Sequence, residues 1–88
     1  MKAEARELFK TNGFAEDGLL FKRELTSPVN PEAKAKITIS IYLDEYSATV
    51  ENYFCSGFNY YSGSQYYTYK SAKRLITKLS KECSFYEF

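Results

Sequence analysis

The clearest pattern of apolar and polar positions covers residues 36–43. Apolar side chains alternate strictly with polar ones there, which is the period of a β-strand with one buried and one solvated face. The apolar set is Ile37, Ile39, Ile41 and Leu43. We expect all four side chains to face the core.

Two neighbouring stretches repeat the alternation and predict two further strands. In residues 19–25 the inward set is Leu19, Phe21 and Leu25, and in residues 46–54 it is Ala48, Val50 and Phe54. Asp44 and Glu45 form a short turn before the third strand, which predicts an antiparallel hairpin. Residues 15–18 are expected to form a turn, and residues 26–35, with both prolines, a loop.

Two stretches have the three- and four-residue spacing of an amphipathic helix. Residues 2–12 place Ala5, Leu8 and Phe9 on one face and are expected to end at Gly13, which tolerates the left-handed cap. The second helix is expected to begin with Ser64 or Thr68 as its N-cap. Its apolar positions are Tyr69, Ala72, Ile76, Leu79, Cys83 and Tyr86.

These elements predict one α+β domain that spans residues 1–88. Its order is an N-terminal helix, a three-stranded antiparallel meander and a C-terminal amphipathic helix (α-β-β-β-α). The apolar face of the sheet needs a cover, so we expect both helices to pack on that one face. No repeat, linker or second domain interrupts the pattern.

The composition indicates a folded chain that is rich in aromatic residues. Nine tyrosines and seven phenylalanines bring the aromatic fraction to 18%, and the formal net charge is only +1. Cys55 and Cys83 are too few for a zinc site, and no leader pattern precedes the charged N-terminus, so we expect reduced thiols and a cytoplasmic protein. No apolar run reaches the roughly 20 residues that a membrane span requires.

Catalytic chemistry has little support. The chain contains no histidine, the commonest general base and metal ligand. Its paired carboxylates, at 16–17 and 44–45, fall in predicted turns, and its glycines form no phosphate-binding loop. We therefore expect a protein without catalytic residues, cofactor or metal.

The first candidate binding feature is a tyrosine-rich segment at residues 56–71. Its Tyr, Ser and Gly composition resembles that of an antibody paratope, where tyrosine supplies contact area at low entropic cost. Its candidates for an exposed patch are Tyr60, Tyr61, Tyr66 and Tyr67, whereas Tyr69 is expected in the core. The alternative is a fourth strand or a helix start whose rings pack on the sheet.

The second feature is a basic stripe on the last helix, formed by Lys70, Lys73, Arg74, Lys78 and Lys81. Such a stripe can contact phosphates, and the tyrosines just before it could stack on single-stranded bases. The alternative is an ordinary solvated helix face with cations near its C-terminus.

Three functions follow from these features. The first is a non-enzymatic binding protein that engages a protein partner through Tyr60, Tyr61, Tyr66, Tyr67, Lys70, Lys73, Arg74 and Lys78. The second is a nucleic-acid-binding module that uses the basic stripe. The third is a homodimer, because the apolar spacing over residues 69–86 also fits a coiled-coil heptad.

Two resemblances accompany these hypotheses. The order helix, three strands, helix, with Lys70-Ser71-Ala72-Lys73 opening the last helix, resembles the double-stranded-RNA-binding domain and implies nucleic-acid binding. Residues 8–14, 20–24, 37–39 and 44–46 are similar to small uncharacterised proteins of bacteriophages and mobile elements of low-GC Gram-positive bacteria. That likeness implies a host-directed binding protein, such as an inhibitor or regulator of a host protein.

Overall fold

The computed structural model describes residues 2–56, 59–86 and 88, and for residues 2, 54–56 and 59–61 it describes the backbone alone. Two helices and five strands lie within these residues. In chain order they are α1 (Lys2–Thr11), β1 (Ala15–Asp17), β2 (Leu20–Thr26), β3 (Lys34–Tyr42), β4 (Glu45–Ser56), β5 (Asn59–Tyr69) and α2 (Ala72–Glu82), followed by a 3₁₀ turn at Ser84–Tyr86.

The described strands form one antiparallel sheet in the order β1-β2-β3-β4-β5. The prediction of a three-stranded meander is therefore wrong, although the α+β class and the two terminal helices agree with the structure. Ala15–Asp17, expected as a turn, pairs with β2. Asn59–Tyr69, expected as a loop followed by a helix start with a fourth strand as one alternative, pairs with β4 along its whole length, so the strand alternative agrees with the structure.

The centre of the sheet has the predicted register. Ile37 and Ile39 of β3 are fully buried on the side that the helices cover. Ile37 lies opposite Val50 of β4, and Ile39 lies between Phe21 of β2 and Ala48 of β4. The alternation of residues 36–41 therefore does place one face of the sheet in the core.

The end of the predicted second strand is different. Leu43, expected to be buried, lies in the two-residue loop that follows the pair Tyr42 and Glu45, and its side chain is 69% exposed. Its φ of 54° lies in the left-handed region, where a Cβ atom is sterically disfavoured. Leu19, also expected to face inward, lies in the β1–β2 turn and is exposed. Both leucines leave the sheet because the chain reverses direction at these positions.

We expect Leu43→Gly to raise the free energy of unfolding by about 0.5–1 kcal/mol. Glycine adopts a positive φ without the clash of a Cβ atom, and it is favoured in two-residue hairpin loops. The exposed leucine side chain loses few contacts. Urea denaturation measures the change, and Leu19→Gly is the matched control because Leu19 is also largely exposed but has no positive φ. A stability at or below that of the wild type would contradict the strained loop.

The C-terminus of α1 confirms the predicted cap. Gly13 has a φ of 85°, the N–H of Gly13 donates to the carbonyl of Lys10, and the N–H of Phe14 donates to the carbonyl of Phe9 at 3.0 Å. These two bonds are those of a Schellman motif. The Phe14 ring folds back so that its centroid lies 6.3 Å from that of Phe9. The cap therefore directs Phe14 into the core beside α1.

Helix α2 begins later than the sequence suggests. Its N-cap is Ser71, whose Oγ accepts a hydrogen bond from the backbone N–H of Arg74 at 3.3 Å, rather than Ser64 or Thr68. The buried positions of the helix and its C-cap are Leu75, Ile76, Leu79 and Cys83. Three of the apolar positions expected to form a coiled-coil contact with a second copy, Ile76, Leu79 and Cys83, are therefore buried in the chain's own core.

Candidate functional site

Strand β5 forms one edge of the sheet and is eleven residues long. Residues 59–69 contain no charged side chain and no proline. The pairing with β4 satisfies one side of its backbone, and in the described part of the chain no strand pairs with the other side. Residues 62–66 are exposed on both faces of the strand. A long, uncharged edge of this kind is a template for pairing with another strand.

The opposite edge of the sheet is protected. Strand β1 has only three residues, two of which are acidic. Glu16 forms ion pairs with Arg6 and Lys10, and Asp17 forms one with Lys22 at 3.1 Å. Short length and charge are the usual features that prevent edge pairing. Among the strands that the structure describes, the sheet therefore has one protected edge and one open edge.

Strand alternation divides the predicted tyrosine patch between two faces. Tyr66 is 67% exposed and lies opposite Thr49 on the face that the helices leave open. Tyr67 lies on the helix side of the same strand, where it packs against the core. The backbones of Tyr60 and Tyr61 belong to β5, but their side chains lie outside the described residues. Of the described tyrosines in the predicted patch, Tyr66 is the exposed one.

Tyr67 joins β5 to α2. Its hydroxyl donates a hydrogen bond to Oε1 of Gln65 at 3.2 Å, and Nζ of Lys78 lies 5.7 Å from the ring centroid. Burial, assisted by the negative charge of Glu82, raises the pKa of Tyr67 above its usual value. The phenol therefore stays protonated at neutral pH. The ring itself packs against the core and lies near Lys78, so it connects the edge strand to the helix.

A surface groove of about 480 Å³ runs along the side of α2 next to β5. Four cations line it together with Tyr69, namely Lys73, Arg74, Lys78 and Lys81. We call Arg74, Lys78 and Lys81, which line this groove and not the second cavity of the surface, the basic flank. Lys78 pairs with Glu82 at 2.8 Å, and this hydrogen bond raises the pKa of Lys78 and lowers that of Glu82. Arg74 and Lys81 are exposed. The basic flank thus lies beside the end of the open edge.

The predicted basic stripe is not one continuous surface. Lys70 and Lys73 line a second cavity between α1 and α2, which Glu4 also lines. Lys73 reaches both cavities, whereas Arg74 and Lys78 line only the one beside β5. The stripe divides because Lys70 precedes the helix and only residues from Ala72 onward follow its turns.

Two members of the site differ from the sequence-based expectation. Tyr69, expected in the core, is half-buried and also lines the groove. Lys81, expected in the basic stripe but not among the partner-binding residues, lines the same groove. The helical periodicity could have identified Lys81, because it follows Arg74 and Lys78 at spacings of four and three residues.

The described residues offer little support for metal binding or thiol chemistry. In residues 2–56, 59–86 and 88, no group of three or more His, Cys, Asp or Glu side chains is placed to hold a metal ion. Burial raises the pKa of the Cys83 thiol, so this thiol stays protonated at neutral pH and is a poor nucleophile. None of the described helices has both the length and the apolar composition needed to cross a bilayer.

Comparison of the chain with protein-family models, curated proteins and solved structures found no match. The resemblances to the double-stranded-RNA-binding domain and to small phage and mobile-element proteins therefore stay predictions. The candidate site rests on the geometry of β5 and α2.

Proposed function

We propose that this chain is a non-enzymatic protein-binding domain of the cytoplasm, and that it engages its partner through β5 and the basic flank of α2. The observation that carries the proposal is the contrast between the two edges of the sheet. β5 offers eleven uncharged residues, whereas β1 offers three residues held by ion pairs.

The side chains along β5 support a protein partner. Tyrosine is enriched at protein interfaces, while charged side chains are depleted from their centres. Tyr66 presents an exposed ring, and the other exposed positions of the strand are Ser62, Gly63, Ser64, Gln65 and Thr68. In the predicted phage or mobile-element context, the partner would be a host protein that this domain inhibits or regulates.

Nucleic-acid binding is the alternative, and the groove beside α2 is the observation that favours it. Arg74, Lys78 and Lys81 line that groove and could contact phosphates. Base stacking needs an exposed ring beside the cations. Tyr67 is half-buried, and Tyr66 lies on the other face of the sheet. The cations and the exposed ring are therefore separated, which favours a protein partner.

Photo-crosslinking in the native host tests the proposal. The photoreactive phenylalanine derivative p-benzoylphenylalanine replaces Tyr66 in one variant and Tyr42 in a matched control. Tyr42 is 75% exposed on β3, at the end of the sheet, so the two probes have similar access to solvent. We expect a discrete protein adduct from position 66 that nuclease treatment leaves intact, and no such adduct from position 42.

Two results would contradict protein binding at this edge. Adducts from position 66 that disappear with nuclease would assign the surface to nucleic acid. Equal yields of the same adducts from positions 66 and 42 would show collisions in solution rather than a binding surface on β5.

A further inference from the structure

We infer that the partner adds a β-strand to the open edge of β5, and that this strand carries acidic side chains on the side facing the basic flank. This inference rests on the proposed protein-binding function and specifies its mode. Strand addition is an established way for an extended segment to bind a sheet edge, in which main-chain hydrogen bonds give affinity and alternate side chains give specificity.

The backbone of β5 provides the first argument. Its pairing with β4 runs from Tyr46 and Tyr69 at one end to Ser56 and Asn59 at the other. The same stretch is free of the proline and charged residues that proteins use to block an edge. An incoming strand can therefore pair with it over many residues.

Charge provides the second argument and defines the chemistry of the partner. α2 lies over the end of β5 where Nζ of Lys78 is 5.7 Å from the Tyr67 ring. A strand added beside residues 67–69 would place its helix-side side chains next to Arg74 and Lys81, which line the groove with Tyr69. Aspartate or glutamate at those positions would neutralise the flank.

The other face of the added strand has a different environment. On the face that the helices leave open, β5 presents uncharged side chains, among them Tyr66 and Thr68. Cross-strand neighbours on one face determine which side chains an adjacent strand favours. The best partner sequence therefore alternates acidic residues with threonine or another uncharged β-forming residue.

A second copy of this chain fits less well. Its own β5 contains no acidic residue, so an edge-to-edge dimer would leave both basic flanks without a counter-charge. Its other edge, β1, has only three residues and is held by ion pairs. A nucleic acid could neutralise the flank but would leave the backbone of β5 unpaired.

The test uses the full-length protein and fluorescent peptides of about ten residues, the length of a long strand. One peptide alternates glutamate and threonine, and its control has the same composition in two blocks, five glutamates followed by five threonines. Fluorescence anisotropy measures affinity at about 0.05 M salt. We expect the alternating peptide to bind about tenfold more tightly than the block peptide, because only alternation puts every carboxylate on one face.

Backbone N-methylation separates strand addition from simple charge attraction. Two further alternating peptides are N-methylated, one at the glutamates and one at the threonines, so that each lacks the amide donors on one side of the strand. We expect one of them to lose about tenfold or more in affinity, since several hydrogen bonds disappear, and the other to bind like the parent peptide. Equal affinity of the two, whether both bind or neither does, overturns strand addition.

Charge removal on the protein tests the acidic preference. Arg74→Gln with Lys81→Gln removes two charges from the basic flank, and Lys34→Gln with Lys36→Gln removes two from the exposed side of β3. We expect only the first pair to weaken binding of the alternating peptide. Equal losses in both variants would mean that net charge alone governs binding, and no loss in either would mean that the flank takes no part. Either result would overturn the inference that the partner strand carries acidic side chains next to the basic flank.

The same binding experiments distinguish an acidic strand from the two other possible ligands of this surface, a nucleic acid and a second copy of the chain. A single-stranded oligonucleotide that displaces the peptide and binds more tightly would assign the flank to nucleic acid. A dimer of the protein alone, seen by sedimentation and excluding the peptide, would assign the edge to a second copy. If the peptides fail while crosslinking at Tyr66 succeeds, strand addition is wrong and protein binding stands. If both fail, the proposed function fails as well.

Discussion

Replacing Phe9 with alanine is expected to lower the free energy of unfolding by about 3–5 kcal/mol. Phe9 is fully buried, and its ring packs edge-on against Phe14, Phe21 and Tyr46, with centroid separations of 6.3, 5.3 and 6.0 Å. Alanine would leave a cavity where α1, β2 and β4 meet. Since small domains have only about 5–15 kcal/mol of stability in total, this loss threatens folding itself.

Urea denaturation followed by circular dichroism measures this effect. Phe85→Ala is the matched control, because the Phe85 side chain is 51% exposed, and we expect it to cost less than about 1 kcal/mol. If Phe9→Ala does not fold, Phe9→Leu keeps more of the volume and should still cost more than the control. Equal stability of the Phe9 and Phe85 variants would contradict the position of α1 on the sheet.

Replacing Ile39 with alanine is expected to cost about 2–5 kcal/mol. Ile39 is fully buried in the central strand, between Phe21 of β2 and Ala48 of β4. Alanine would leave a cavity between β3 and the elements packed around Ile39, and the neighbouring side chains could fill it only if the strands shifted. The change should appear as a lower denaturation midpoint at an unchanged slope.

Thr38→Ala is the control for the register of β3. Thr38 precedes Ile39 and points to the opposite face, where it is only partly buried. We expect this change to cost less than about 1 kcal/mol. A larger loss at Thr38 than at Ile39 would mean that the strand is shifted by one residue, which moves every side chain to the other face.

The central strands could be predicted from the sequence because one face of their middle residues is buried and the other is not. Ile37 and Ile39 alternate with Thr38 and Ser40, and the structure buries the two isoleucines. The N-terminal helix was predictable for a similar local reason. The spacing of Ala5 and Phe9 and the glycine that follows the helix both act within a few residues.

Strand β5 could not be predicted in this way. Tyr67 and Tyr69 pack against the core on its helix side, whereas residues 62–66 are exposed on both faces, so β5 has no alternation of apolar and polar residues. Tyrosine also suits buried and exposed positions alike, because its ring is apolar and its hydroxyl is polar. The three-residue spacing from Tyr69 to Ala72 then made the last strand residue resemble the first turn of the helix.

The sequence by itself determined which side chains the site contains, namely an uncharged tyrosine-rich segment followed by a basic helix. Only the tertiary structure decided that this segment is the open edge of a sheet, and that Tyr66 and Tyr67 face opposite sides. The reason is that a strand lies at the edge of a sheet when no other strand pairs with one of its two sides. Strand order depends on contacts between residues far apart in the chain, and these contacts leave no periodic signal within β5 itself.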